Sequence, residues 1–568
     1  MSSYTEFTLK RKFRSWGRKF RLWRTWLLNY LNRHLFGSWH KLGNVRWTFA
    51  AWIFIALVSL WGLSFQIFAL NGASIEKPKR GGTYREALVG QVKSLNPLFP
   101  ENNATESVVS LVYSGLTKVN GKREIVSDLA EKWDISEDRK SYTFYIRKNA
   151  TWHDGVKLTS KDVAFTVDKV QNPDTRSPYS ANWSGVKYQI IDDYTIKFSL
   201  PSSYGNFLYN TTLGILPKHR LENVASSSLR SYEFNQRPVG SGPYKIELLE
   251  VDSSSIELDS YDNYYIQKPY IEKVLFVLFE DSKQAIDSLI RKQVDAVSQV
   301  QPEDVSTVEK IQGINDYRIG LPAYVGAFFN LKNAPMNNLD FRKALAYSTN
   351  RESLVKDQLN SEGSVAYYPI PAGFIGFNPS AEKYQYDFNK AKELLSNSKV
   401  DTKSTLRLVT LDSSQYKELA NKIADDWKKL GINIEVITAD IANLQQNYIR
   451  SRNYDILLFG QNVGIDSDVY SFWHSSQAND PGLNVSSYKN AEADKFLEAG
   501  RLAKDQAFKA SRYSAFVDIW AKDLPAVVIY NPYYNYAQSD RVIGFDTKKV
   551  VEPSNRFYNI YDWYLVGE

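Results

Sequence analysis

Five histidines, His34, His40, His153, His219 and His474, are scattered along 568 residues, and two of them lie in a basic N-terminal stretch. No HExxH pair, GxSxG elbow or phosphate-cradling glycine loop accompanies them. A metal site would need His and acidic residues clustered at ligand spacing, which this pattern does not offer. The chain has no cysteine, so thiolate nucleophiles, thiolate metal ligation, disulfides and attachment of lipid at a cysteine are excluded. In a chain this long, carboxylates close in sequence are expected by chance. The sequence therefore predicts no catalytic site, no metal and no cofactor, and points to non-covalent binding.

One stretch organises the rest. Trp47 to Leu70 (WTFAAWIFIALVSLWGLSFQIFAL) belongs to a run without charge between Arg46 and Glu76. As a helix its 24 residues would extend roughly 36 Å, enough to cross a hydrocarbon core with some tilt. A buried core helix is the alternative, though core helices seldom run so long without a charge. Residues 1–46 carry eleven Lys or Arg against the single acid Glu6. The positive-inside rule then places this tail in the cytoplasm and everything after Leu70 outside. A cleaved signal peptide would have a shorter apolar core, and Ala73-Ser74-Ile75 is a poor cleavage site.

The formal charge of +7 divides into +10 on residues 1–46 and −3 on the remaining 522. The basic balance thus belongs to the tail, and no nucleic acid is expected for the large domain. In the tail, Phe13, Trp16, Phe20, Trp23 and Trp26 interleave with basic residues, which suits an interfacial helix on an anionic leaflet, with RNA as the alternative.

Beyond a short linker the globular part is long enough to predict more than one lobe. Gly81–Ala87 reads as a strand, Glu106–Leu116 as a helix ending at Gly115, and Ser141–Arg147 alternates as a half-buried strand. Trp152–Gly155 is a tight turn in which His153 reads as structural, and Thr159 is a candidate N-cap. Val325–Leu331 and Ala526–Tyr530 are apolar runs suited to strands crossing between lobes. Ile423–Leu430, Gly431 and Ile432–Val436 read as helix, glycine stop and buried strand, an α/β pattern.

Several of these pieces together carry a resemblance. Leu95-Asn96-Pro97-Leu98, Tyr113–Thr117 (YSGLT), Ser127–Asp138 (SDLAEKWDISED), Trp152–Gly155 (WHDG), Leu216–His219 (LPKH) and Gly240–Tyr244 (GSGPY) occur in order. Asn263-Tyr264-Tyr265, Lys268-Pro269, Phe329-Asn330-Leu331, Phe341–Leu345 (FRKAL), Asn350-Arg351, Tyr386-Asp387, and Tyr488, Asn490 and Asp494 follow. Over about residues 80–540 this resembles family 5 of the extracellular solute-binding proteins, the oligopeptide, dipeptide and nickel receptors of ABC importers. The resemblance implies a large two-lobed α/β fold of the periplasmic-binding-protein type (type II, cluster C), here preceded by one transmembrane helix. The implied division is 1–46 basic cytoplasmic tail, 47–70 transmembrane helix, 71–80 linker, 81–325 lobe I, 326–525 lobe II, and 526–568 returning to lobe I.

By the same resemblance the chain is not an enzyme. It would capture oligopeptides or a related small solute between closing lobes and deliver them, as a monomer, to ABC permease subunits. A surface receptor or sensor using the same fold without transport is the alternative. An extracytoplasmic hydrolase would need a nucleophile or metal constellation that is missing. The ligand-binding candidates are Tyr113, Ser241, Gly242, Gln461, Asn462, Asp466, Trp473 and His474. Ser241 and Gly242 lie in a glycine-rich turn whose N–H groups would face a ligand or else only shape the turn. Peptide-binding relatives anchor the ligand amine on an Asp that follows a Gly-Trp pair. Here Gln461 replaces the Trp, and the Asp position is Gly464 or has moved to Asp466. Tyr470 and Trp473 would form an apolar wall or belong to the core.

Overall fold

A fourteen-residue strand, Ala526–Ser539, runs through the middle of the large domain. At the usual rise it extends about 48 Å. Its first half pairs antiparallel with Ala323–Phe329 and its second half with Ile314–Gly320 and Ala296–Val297. Where one pairing gives way to the other, Pro322 and Pro532 lack the N–H a continuous ladder would need. The backbone there is held instead by Leu321 N–H donating to Pro532 O (3.1 Å) and by Asn531 Nδ2 donating to Ala323 O (2.9 Å). The two apolar runs expected to cross are thus the strands Ala323–Phe329 and Ala526–Ser539.

This computed structural model describes residue 43 and residues 45–72, 78–202, 207–250, 253–503 and 505–567. All but the last few residues of the expected basic tail 1–46, with its interfacial helix, lie outside the described residues, as does residues 73–77 of the expected linker. The chain forms two compact units, Met1–Lys77 and Pro78–Glu568.

In the first unit Val45–Gly72 is a 28-residue helix. Its described large side chains are exposed along its length, Trp47 at 71% and Trp61 at 75% among them. Among the described residues no helix is long and apolar enough to cross a membrane. The side chains from Phe65 to Gly72 lie outside them.

In the second unit twelve strands join one mixed sheet. Thr83–Val89 lies parallel to Lys273–Phe279 and Ala296–Val297, and Ser255–Ser260 adds antiparallel to Lys273–Phe279. On the other side of the long strand, Ala323–Phe329 pairs with Ile456–Asn462, which continues to Leu406–Leu411 and Ile434–Ala439. Helix Ser414–Lys428 connects the last two, and Gly431 follows with φ +85°, the stop that glycine permits. A separate four-stranded antiparallel sheet contains Ser141–Ile146, whose burial alternates strictly.

Strands at the centre of the sheet are covered on both faces, so Ala323–Phe329 and the first five residues of the long strand are apolar at every position. Tyr324, Phe328, Leu457 and Val528 enter one core cluster, while Val325, Ala327, Phe329, Ile456, Leu458, Val527 and Ile529 enter another. Each fully buried side chain of this size contributes about 1.5–3 kcal/mol.

The C-terminal segment is held by a fully buried ion pair. Arg556 and Glu86 are both inaccessible to solvent. Arg556 Nε donates to Glu86 Oε1 at 3.0 Å, and its Nη2 contacts the same oxygen. Nη2 also donates to Ser107 Oγ (3.0 Å) and Nη1 to Pro553 O (2.8 Å). Tyr536, on the long strand, donates to Glu86 Oε2 at 3.2 Å, and Tyr84 donates to the same oxygen. Removing one partner strands the other as an uncompensated buried charge. Arg556→Met is expected to cost about 3–5 kcal/mol in chemical denaturation, and the double change Glu86→Met with Arg556→Met markedly less. Equal losses would contradict this account.

Candidate functional site

Helix Asn103–Val112 is started by Asn102, whose side chain accepts from Thr105 N–H at 2.9 Å. It begins earlier than the spacing predicts, because Asn102 supplies the cap. It ends at Tyr113, in extended geometry, where the chain turns to pack on residues 211–215. A Cβ on Gly115 would lie 2.5 Å from Thr212 O, so the approach of the two segments requires glycine.

Against this helix lies a cavity of about 210 Å³. Glu106 and Ser110 of the helix, Tyr179, Tyr209 and, from the C-terminal segment, Glu552 and Tyr558 are among its lining residues. Glu552 precedes the turn Pro553–Phe557, where Asn555 Oδ1 accepts the Val551 and Glu552 N–H groups at 3.0 Å each. Its carboxylate accepts from Tyr209 O–H at 2.6 Å. Desolvation raises the Glu106 carboxyl to about 7, and the charge of Glu552 adds to the rise. Burial likewise raises Glu552, with the Tyr209 hydrogen bond opposing it. Burial beside both carboxyls also holds the Tyr179 and Tyr209 phenols above their ordinary range. Chemically this is an acceptor-rich, aromatic pocket with no nucleophile–base pair. Among the described residues no group of His, Cys, Asp and Glu could hold a metal ion.

Of the eight candidate binding residues only Tyr113 lines this cavity. Its hydroxyl donates to Leu95 O at 3.1 Å. The glycine-rich turn proves to be a packing element. The Gly242 N–H donates to Val112 O (2.9 Å) and is not free for a ligand, and a Cβ there would meet Leu111 O at 2.2 Å. Ser241 is fully buried and its hydroxyl has no partner. His153 clamps the turn from below: Gly240 N–H donates to Nδ1 at 3.2 Å, and Nε2 lies 3.1 Å from Gly242 O. Burial pushes this imidazole down to about 4, so it stays neutral, the structural role expected of it.

The other five candidates are engaged elsewhere. Trp473 is a core residue and not an exposed wall, fully buried against Phe328 and Trp520. Its Nε1 donates to Tyr324 O–H at 3.1 Å, and that hydroxyl in turn donates to Gln461 Oε1. Gln461 thus fills the place of an aromatic residue by closing a buried hydrogen-bond chain. Asn462 is exposed; its Oδ1 accepts Gly464 N–H at 2.8 Å and its Nδ2 reaches Val551 O at 3.4 Å. Asp466 is paired with Lys509. His474 is buried, stacks on Tyr470 with ring centroids 4.0 Å apart, and bonds Ser476 Oγ at 2.8 Å and Glu498 at 3.3 Å.

Sequence reasoning missed Glu106, Glu552, Tyr179 and Tyr209. The only available signal was an acid in the first turn of an expected helix, and nothing marked Glu552 as its neighbour.

Residues 124–482 match the family described as bacterial extracellular solute-binding proteins, family 5 Middle. The oligopeptide-binding protein AppA of Bacillus subtilis (strain 168) is 29% identical over 515 residues, spanning 87% of this chain and 93% of that protein. Its solved structure, in complex with a nonapeptide, superposes with a TM-score of 0.73 at 27% identity, covering 86% of this chain and 100% of that one. The ABC transporter substrate-binding protein CtaP of Listeria monocytogenes gives a TM-score of 0.76 at 27% identity, with 86% and 100% covered.

A carboxyl raised by burial stabilises the fold below its unfolded-state value and withdraws that stability as pH rises through its folded value. The ligand-free chain is therefore expected to lose on the order of 2 kcal/mol between about pH 4.5 and 7 on account of Glu106. Glu106→Gln should flatten that fall in denaturant melts. An unchanged pH profile in the variant would contradict the assignment.

Proposed function

The chain belongs to the bacterial extracellular solute-binding proteins, family 5, and from that premise we propose that it captures oligopeptides, or a related small solute, and hands them to the permease subunits of an ABC importer. It is a substrate-binding protein and not an enzyme. The observation that carries the peptide reading is the match to an oligopeptide-binding protein over 87% of the chain.

In this reading 81–325 and 526–568 act as one lobe and 326–525 as the other. Closure bends the chain where Pro322 and Pro532 interrupt the ladder, since two short backbone segments absorb the change most readily. Closing would desolvate the ligand's charged ends and pair them with side chains and backbone groups, and docking on the permease would reopen the lobes.

The helix Trp47–Leu70 would tether the protein to the membrane, with residues 1–46 cytoplasmic and the large domain outside. The uncharged run and the exposed tryptophans of this helix support that placement.

Native mass spectrometry of the full chain, extracted in mild detergent and compared before and after partial denaturation, tests the peptide reading. Released masses forming a ladder of peptides are expected. A single non-peptide mass would move the substrate class, and an empty protein with no thermal shift on a peptide library would overturn the reading.

A further inference from the structure

One guanidinium spans the boundary between the two parts assigned above as lobes. Arg123 sits at the tip of the hairpin formed by Thr117–Val119 and Ile125–Ser127. Its backbone is left-handed, with φ +67°, a conformation that residues other than glycine adopt rarely. The turn is held by Asn120, whose carbonyl accepts the Arg123 N–H at 2.9 Å and whose Oδ1 accepts the Lys122 and Glu124 N–H groups at 2.9 Å each. Gly121 O in turn accepts the Lys548 and Lys549 N–H groups at 2.9 Å, so the tip is fixed to the C-terminal segment. From this base Arg123 Nε donates to Val550 O at 3.0 Å and Nη2 to Gly320 O at 2.7 Å. Both acceptors lie in 81–325 or 526–568. The guanidinium carbon lies 4.6 Å over the ring of Phe374, which belongs to 326–525.

The charge is carried here without a counter-ion. Among the described residues no carboxylate lies within 4.0 Å of Arg123. Desolvation lowers its pKa to about 10. A buried charge is ordinarily paired; two neutral carbonyls and one aromatic ring take that place instead. Phe374 is presented as firmly as Arg123. Its N–H donates to Pro371 O at 3.2 Å, its carbonyl accepts the Phe377 N–H at 3.1 Å, and its ring packs on a core cluster of its own lobe.

Other contacts between the two parts, outside the strand pairing, are longer or sit at the bend. Arg139 Nη1 reaches Ala503 O at 3.5 Å, Asn462 Nδ2 reaches Val551 O at 3.4 Å, and Asn360 Nδ2 reaches Pro302 O at 3.3 Å. Arg318 pairs with Glu362 at 3.1 Å, but the next residue, Gly363, pairs with Pro532 at the bend itself. Phe374 lies in a loop outside the sheet, where a change in lobe angle would be felt.

We propose that Arg123 and Phe374 form a latch that holds the two lobes together before any solute is bound, with Arg123 as the positioning residue that sets the balance between closed and open forms. This rests on the two-lobed capture reading and goes beyond it. Part of the closing free energy then belongs to the protein and not to the solute, which suits capture of solutes that differ in side chains.

The chain has no cysteine, so two spin labels can be placed without background. Gln189→Cys on the strand Lys187–Asp192 and Asn397→Cys on the helix Phe388–Ser398 are exposed sites, one in each lobe. Double electron–electron resonance on the full chain in detergent, without solute, should give one dominant distance. Arg123→Gln removes the charge, and Phe374→Leu removes the aromatic face but keeps apolar bulk. Each should lower the closed-to-open ratio by on the order of tenfold, seen as a second, longer distance. The double variant should go no further than either single one, and Phe374→Trp, which keeps an aromatic face, should retain the wild-type distance. Melting temperatures check folding; if Arg123→Gln does not fold, the Phe374→Leu and Phe374→Trp pair decides. Unchanged distances in the single variants, effects that add in the double variant, or a wild type already at the longer distance would overturn the latch. Because these distances are taken without solute, a chain that binds no peptide overturns the peptide reading alone, and the shift in the variants still upholds the latch.

Discussion

Glu86 and Arg556 hold together four parts of the large domain that are distant in sequence. Glu86 belongs to the strand Thr83–Val89, Ser107 to the helix Asn103–Val112, Tyr536 to the long strand Ala526–Ser539, and Arg556 to the C-terminal turn. A buried guanidinium has five donors, and four hydrogen bonds here run to a carboxylate, a hydroxyl and a carbonyl. Ser107 is the sequence neighbour of Glu106, and Pro553 of Glu552, so the same pair ties down both segments that carry the cavity glutamates.

The cavity beside helix Asn103–Val112 has a physical character of its own. Burial, with the charge of Glu552 adding to it, drives the Glu106 carboxyl towards the neutral form near physiological pH. Any solute bound there that changes the protonation of Glu106 would link binding to folding stability. Selectivity in such a site comes from what is left unpaired when the wrong solute enters, more than from the area it buries.

Much of the architecture was legible because the residues that mark the family are those that hold the backbone. Arg342 donates to the carbonyls of Leu524, Met336 and Asp523, and the fully buried Arg351 to those of Val528 and Tyr384. Tyr488 and Asn490 converge on Asp523, and Tyr265 bonds Asp128. Thr159 caps its helix in a box with Asp162, as its spacing predicts. These residues hold a particular backbone path, and so they announce the fold and say little about the solute. The binding candidates drawn from the same motifs were absorbed for that reason: Gly242 into a close approach, Trp473 into the core, Asp466 into an ion pair. The cavity was illegible because its chemistry depends on two glutamates from opposite ends of the domain, and no local pattern records that they meet.

The most direct test of the account is a crystal structure of the chain with a bound lysine-containing peptide. The account predicts peptide density between the lobe formed by 81–325 with 526–568 and the lobe 326–525. Ordered peptide bound to one lobe alone, with no contact from the other, would contradict it.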